Sequence, residues 1–128
     1  MFWTLWIAIG SLYCGLAVTL GALGSHWLKS KLDLSALASF EVGVRYQMYH
    51  GLAIILLGLI TAKTESANLR LVGYLFSTGT LLFSGSIYAL VLTPFRWLWP
   101  LTPIGGVALI IGWAFLCINS VQIYLKAQ

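Results

Sequence analysis

The chain reads as an all-α membrane protein, a four-helix transmembrane bundle with a partly embedded amphipathic segment between its first two helices. Three observations predict this. Of the 128 residues 60% are apolar and only 8% charged, too few charges to coat a water-facing surface. Mean hydropathy over the chain is +0.94, and the apolar residues gather into four runs near the length, about 20 residues, that a helix needs to cross a hydrocarbon core about 30 Å thick. Inside lipid every backbone N–H and C=O needs a protein partner, which runs of this length obtain only as helices. The short alternating segments of a membrane barrel are absent.

At this length the chain holds a single domain, residues 1–128. The first span is predicted over residues 2–23, which carry no charge. No Lys or Arg precedes it, so it is expected to be a permanent helix rather than a cleaved signal peptide. The second span covers 46–62, between Arg45 and Lys63. The stretch before it is long and half apolar. From Asp33 as a plausible N-cap, Leu34, Leu37, Val44 and Met48 recur at helical spacing, so the second helix is expected to extend back to residue 34. Spans 71–92 and 103–125 follow. The short polar stretch KTESANLR makes helices 2 and 3 an antiparallel hairpin. LTPFRWLWPLTP places Trp97 and Trp99 at the headgroup belt, with Thr102 as cap and Pro103 in the first turn of helix 4.

Small residues line one face of three helices. They are Gly10, Cys14, Ala17, Gly21 and Gly24 in the first, Gly73, Ser77, Thr80 and Ser84 in the third, and Gly105, Gly112 and Asn119 in the fourth. In lipid, close backbone approach and hydroxyl bonds drive association, so these faces predict helix packing within the chain, or a homo-oligomer through the glycine-rich faces. Cys14 and Cys117 lie in apolar runs with no CxxC pairing and are expected as buried thiols.

The net charge of +4 does not point to nucleic acid, because the seven Lys and Arg are scattered singly with no basic stripe. They read as topology signals and headgroup anchors, the expected partner being the bilayer itself. Lys29, Lys31 and Arg45 after helix 1 favour both termini outside.

One polar cluster stands out. EVGVRYQMYH, residues 41–50, runs straight into GLAIILLGLI, and ionisable groups so near a bilayer core usually turn toward a partner or a cavity. Helix 1 ends where helix 2 begins, so His26 is expected to converge with Glu41, Arg45, Tyr46, Gln47, Tyr49 and His50 at one membrane face. Glu41 and Arg45, four apart, are expected to pair, and Tyr46 and His50 form a second such pair. The plain alternative is a structural staple of anchors and a neutralised ion pair. Three functional readings stand beside it. The cluster could bind a small ligand or lipid headgroup with Arg45 on the anion. His26 and His50 could ligate a haem or, with Glu41, a metal. Glu41, Tyr49 and His50 could relay protons or ions. No GxSxG, HExxH, Walker loop or paired carboxylates are present, and Asp33, Glu41 and Glu65 are the only acids, so a non-enzymatic role is preferred.

The stretches GALGSHWLK (21–29), ExxxRYQMYHG (41–51), LFSGSIYALVLT (82–93) and TPIGGVALIIGW (102–113) resemble, in order and across nearly the whole chain, the motifs of domain-of-unknown-function family 423. These are small inner-membrane proteins of the YgdD and YwdK type, with mitochondrial relatives. The resemblance implies four helices in a bacterial inner membrane and implies no activity. Leu23, Ser25 and Gly51 stand where that pattern usually has Phe, Ala and Ala. His26, Lys29, Glu41, Tyr46, Gln47 and His50 keep to it, which favours a ligand cavity, and LFSGSIY adds Ser84 and Tyr88 on the same side. The expectation is a small-ligand or lipid-binding or transport-accessory protein with a polar pocket at the face shared by the first and third connections. The alternatives are a haem or metal redox protein using His26 and His50, and a structural or assembly subunit.

Overall fold

The structure, a computed structural model, describes residues 2–64 and 66–126. Glu65 therefore lies outside the described residues. With a short 3-10 turn in each of the first and third connections, the described residues form four α-helices, α1 (Phe2–His26), α2 (Leu34–Thr61), α3 (Ala67–Leu92) and α4 (Leu101–Lys126). Each is long and apolar enough to cross a membrane.

The second helix does extend back past the apolar span to Leu34, as the Asp33 cap and the helical spacing of Leu34, Leu37, Val44 and Met48 predict. Asp33 takes an extended conformation before it, and its Oδ1 accepts the Ala36 N–H at 2.8 Å. That bond satisfies one of the four N–H groups a helix start leaves without partners. No Pro interrupts the following residues, so the helix runs for 28 residues, about 42 Å at 1.5 Å per residue. Its midpoint falls between Gln47 and Met48. Residues 41–50 thus lie within one continuous helix, from the level of the end of α1, where Gly24 meets Phe40, to near the middle of α1, where Cys14 meets Gly51.

Thr102 differs from expectation. Helix α4 begins two residues earlier than predicted, at Leu101, and the Thr102 hydroxyl is 2.6 Å from Ser86 Oγ on α3 instead of capping α4. Pro103 still falls in the first turn, where its missing N–H costs little. The other two prolines, Pro94 and Pro100, lie between α3 and α4, so no Pro lies beyond the first turn of any of the four helices.

Helix α1 packs along α2, α2 along α3, and α3 along α4, with a lighter contact between α1 and α3. Helices α2 and α3 form the centre, with ten and eight buried residues against four each in α1 and α4. The small faces serve this packing. Gly10, Ala17 and Gly24 of α1, Gly73, Thr80 and Ser84 of α3, and Gly105, Gly112 and Asn119 of α4 are all buried. A Cβ on Gly10 would lie 2.5 Å from the Gly51 carbonyl oxygen, and one on Gly79 would lie 3.2 Å from that of Gly105. Backbone therefore meets backbone in both pairs, α1–α2 and α3–α4, which is how dispersion contacts hold helices together in lipid. Large side chains fill the centre, with Trp6, Ile54, Leu57, Leu69, Val72 and Phe76 at 1% exposure or less. Cys14 is half-buried, but Cys117 faces outward from α4, contrary to the expectation of two buried thiols, and both are free.

With Arg45 inside α2, Lys29, Lys31 and Arg96 remain on the side of the first and third connections and Lys63, Arg70 and Lys126 on the other. The basic residues divide evenly, so charge bias does not set the orientation.

Gly10→Ala is expected to destabilise the bundle by about 1–3 kcal/mol, the usual cost of overpacking. Gly15→Ala on the same helix, where nothing lies within 4 Å of the added carbon, is expected to leave stability unchanged or slightly raised. Unfolding of both variants by SDS titration in mixed micelles measures the difference.

Candidate functional site

Helix α2 sets its polar residues between α1 and α3, and helical geometry sorts them by face. Gln47 and His50 point inward at 6% and 4% exposure. Glu41, Arg45 and Tyr49 are exposed on the outside of the helix, Tyr46 is partly exposed with its ring packed against His50 and Phe83, and His26 is exposed at the end of α1. The sequence cluster is therefore two groups, an interior one and a peripheral one.

In the interior group Tyr13, Gln47, His50, Ser84 and Tyr88 each have a partner, whereas the buried Ser77 Oγ and Trp6 Nε1 have none among the described residues. Gln47 Nε2 donates to the Tyr13 carbonyl of α1 at 2.9 Å, while its Oε1 accepts the Tyr88 hydroxyl of α3 at 2.8 Å. Ser84 Oγ donates to the Gly43 carbonyl at 2.8 Å. Tyr13 adds a tie of its own from α1 to α3, donating to the Ser77 carbonyl at 2.9 Å. His50 sits among the rings of Tyr46, Phe76 and Trp113. Trp113 Nε1 donates to His50 Nε2 at 3.0 Å, and His50 Nδ1 lies 2.7 Å from the Tyr46 carbonyl oxygen. An indole N–H can only donate, so Nε2 must be a bare acceptor and the proton must sit on Nδ1, facing Tyr46. The network thus holds a neutral imidazole in one tautomer.

Three expectations change with this geometry. Glu41 and Arg45 form no ion pair among the described residues, although they stand four apart on α2. Both side chains project outward, where the packing of the bundle does not hold them together. The paired use of His26 and His50 on one haem or metal is overturned by distance. Gly24, near His26, is level with Phe40, which a Cβ there would meet at 3.2 Å. His50 lies ten residues farther along α2, about 15 Å, and both its nitrogens are engaged. A relay through Glu41, Tyr49 and His50 is also divided, since the first two face outward and the third inward.

At the face of the first and third connections lies a hollow of about 410 Å³ between α2, α3 and the start of α4. Asp33, Ser35, Ser39, Arg96 and Thr102 supply its polar groups, over Ile87, Leu90 and Val91. It stands at the membrane face where a pocket was expected, but is lined by different residues. Asp33 and Arg96 make no ion pair with each other among the described residues, and Arg96 Nη1 makes only a long contact, 3.5 Å, to the Leu90 carbonyl. A smaller cleft of about 190 Å³ opens between α1 and α3 beside Gln47 and Tyr88.

Sequence reasoning passed over Trp113, Tyr13 and this hollow. Trp113 carried one usable signal. Trp in membrane helices gathers at the two interfaces, whereas Trp113 lies mid-helix, where its N–H requires an internal acceptor.

The model of a family described as a protein of unknown function, DUF423, matches residues 20–106. The chain belongs to the DUF423 family. Family members named UPF0382 membrane proteins are similar to it over most of their length. One from Staphylococcus saprophyticus is 44% identical over 117 residues, 91% of this chain and 97% of the relative. Another, from Staphylococcus aureus, is 46% identical over 116 residues, 91% of this chain and 94% of the relative. No solved structure matches the chain. The family match begins just before GALGSHWLK and ends within TPIGG, so it takes in both α2 groups and the hollow.

Two measurements check the interior network. Tyr88→Phe removes the donor to Gln47 Oε1 and is expected to cost about 1 kcal/mol, the scale of an interhelical hydrogen bond in a membrane protein, read as earlier unfolding in SDS. In ¹⁵N spectra His50 Nε2 is expected to resonate as an unprotonated nitrogen that accepts a hydrogen bond, and Trp113→Phe to shift it toward a free lone pair.

Proposed function

We propose that this multi-pass membrane protein resides in the bacterial cytoplasmic membrane and binds the headgroup of a zwitterionic phospholipid in the hollow between α2, α3 and α4. The observation that carries the reading is the pairing of unlike, mutually unbonded charges over an apolar floor. Arg96 offers a guanidinium for the phosphate, whose planar donors suit phosphate oxygens. Asp33 offers a carboxylate for the cationic end, and Ser35, Ser39 and Thr102 offer hydroxyls between them. Ile87, Leu90 and Val91 continue inward along the direction a lipid chain would take. A volume of about 410 Å³ falls within the usual range of small-molecule sites. Exposed Trp97 and Trp99 in the same connection fit a position at the headgroup belt.

The interior group has a different role in this reading. Gln47, His50, Ser84 and Tyr88 are engaged with the protein, so they act as the staple that fixes the helices beneath the hollow. His26, Glu41, Arg45, Tyr46 and Tyr49 do not line it.

The test is lipid retention in native mass spectrometry, after purification from nanodiscs holding equal amounts of phosphatidylethanolamine and phosphatidylglycerol. Wild type is expected to retain phosphatidylethanolamine preferentially. Arg96→Gln should lower retention of both lipids about fivefold, equivalent to about 1 kcal/mol. Asp33→Asn keeps a helix-capping side chain, so it should erase the preference without destabilising α2. Equal retention of the two lipids by wild type, or no response to Arg96→Gln, would refute the assignment.

A further inference from the structure

Between the first and last turns of the four helices, Glu41 and Arg45 are the only Asp, Glu, Lys or Arg side chains. Both lie on the outer surface of α2. Gly51 packs on Cys14, the midpoint of the uncharged α1, and from that level Arg45 is about 9 Å and Glu41 about 15 Å along α2, at 1.5 Å per residue. Arg45 therefore starts within a hydrocarbon half-thickness of about 15 Å and Glu41 at its edge. Charges at that depth are rare on lipid-facing surfaces and ordinarily pair or face a protein interior, yet among the described residues neither has an ionic partner in its own chain.

The rest of that face has a pattern. Val42, Arg45, Tyr49, Leu52, Leu56 and Leu59 follow one another at alternating spacings of three and four. Tyr49, Leu52, Leu56 and Leu59 are each half exposed or more, at 57%, 50%, 59% and 52%. Alternating steps of three and four average 3.5 residues, the repeat that keeps one seam of a helix against a partner helix along its length. The seam runs from a polar half holding Arg45 and Tyr49 to a leucine half, and Glu41 flanks it one turn before Arg45.

We infer that the α2 seam is the interface of a homodimer in which Arg45 of each subunit bonds the partner subunit's Glu41. Charge complementarity identifies the occupant. Two copies inserted the same way are related by a twofold axis along the membrane normal, so each residue meets its own counterpart at equal depth. Glu41 and Arg45 differ by one turn, about 5–6 Å. Helical side chains lean toward the N-terminus of their helix, and the longer Arg45 side chain reaches farther that way than the shorter Glu41, which narrows the offset in depth between guanidinium and carboxylate. Two arginines and two glutamates then close a four-charge ring of zero net charge, shielded from lipid. Leu52, Leu56 and Leu59 pack below it. This interface is separate from the glycine faces, which Gly10, Gly51, Gly79 and Gly105 use within the chain.

Cysteine crosslinking in native membranes tests the seam. In a Cys117→Ser background, Leu52→Cys is expected to crosslink to dimer, while Ile110→Cys on the outward face of α4, itself 70% exposed, is expected to remain monomeric. Adding Glu41→Gln or Arg45→Gln to the Leu52→Cys chain should each lower the dimer fraction about fivefold, the loss of about 1 kcal/mol that an intramembrane polar contact supplies. Co-expression of the two variants under different tags separates pairing between chains from pairing within one. No chain then carries both charges, yet the mixed dimer keeps one cross-chain pair, so it should crosslink more than either variant with itself. Equal crosslinking at Leu52→Cys and Ile110→Cys, or a mixed dimer no stronger than the two homodimers, would overturn the inference.

Discussion

The contact of Gly10 with Gly51 sets how closely α1 runs along α2, and the remaining polar ties depend on that distance. Only with two backbones in contact does the Tyr13 carbonyl come within 2.9 Å of Gln47 Nε2. Gln47 then uses its second polar atom on Tyr88, so one amide side chain joins three helices. One turn farther along, His50 accepts from Trp113 and adds the fourth. In water each of these bonds would contribute little beyond what solvent already offers. In hydrocarbon the alternative to each bond is an exposed polar group, and partial satisfaction costs more than an apolar core would. Gln47, His50, Ser84 and Tyr88 accordingly all bond within the bundle, while Trp6 Nε1 and Ser77 Oγ are buried without a partner among the described residues.

Much of this architecture is legible in the amino-acid sequence because lipid imposes a length rule that sequence reports directly. The four spans, the tight connection between α2 and α3, the Asp33 cap and the small faces of α1, α3 and α4 each follow from local composition or spacing. The beginning of α2 is legible as well, from that cap and from the helical spacing of Leu34, Leu37, Val44 and Met48, although the apolar window alone starts only at Tyr46. Less legible is how residues 41–50 divide between an inward and an outward face of the helix.

The partners across helices are hidden as well. Trp113 and Tyr13 are ordinary aromatics in apolar runs, and nothing in their neighbours says which helix they reach. Asp33 and Arg96 illustrate the same limit at the membrane face. Each has a sufficient local explanation, one as a cap and the other as an anchor, and only the packing of α2 against α3 and α4 brings them around one hollow. His26 and His50 present the opposite case, since shared chemistry in sequence does not survive their difference in depth.

Prolines are confined to the connection between α3 and α4 and the first turn of α4, so none of the four spans has the usual point at which to bend. Large movement would have to come from rigid rods sliding past one another. Displacing the α1–α2 pair against the α3–α4 pair by one turn, about 5.4 Å, would separate Tyr88 from Gln47 and Trp113 from His50 in the same step. Both halves of each tie would then be bare in hydrocarbon. The molecule is built as a brace with one register rather than as a gate with two.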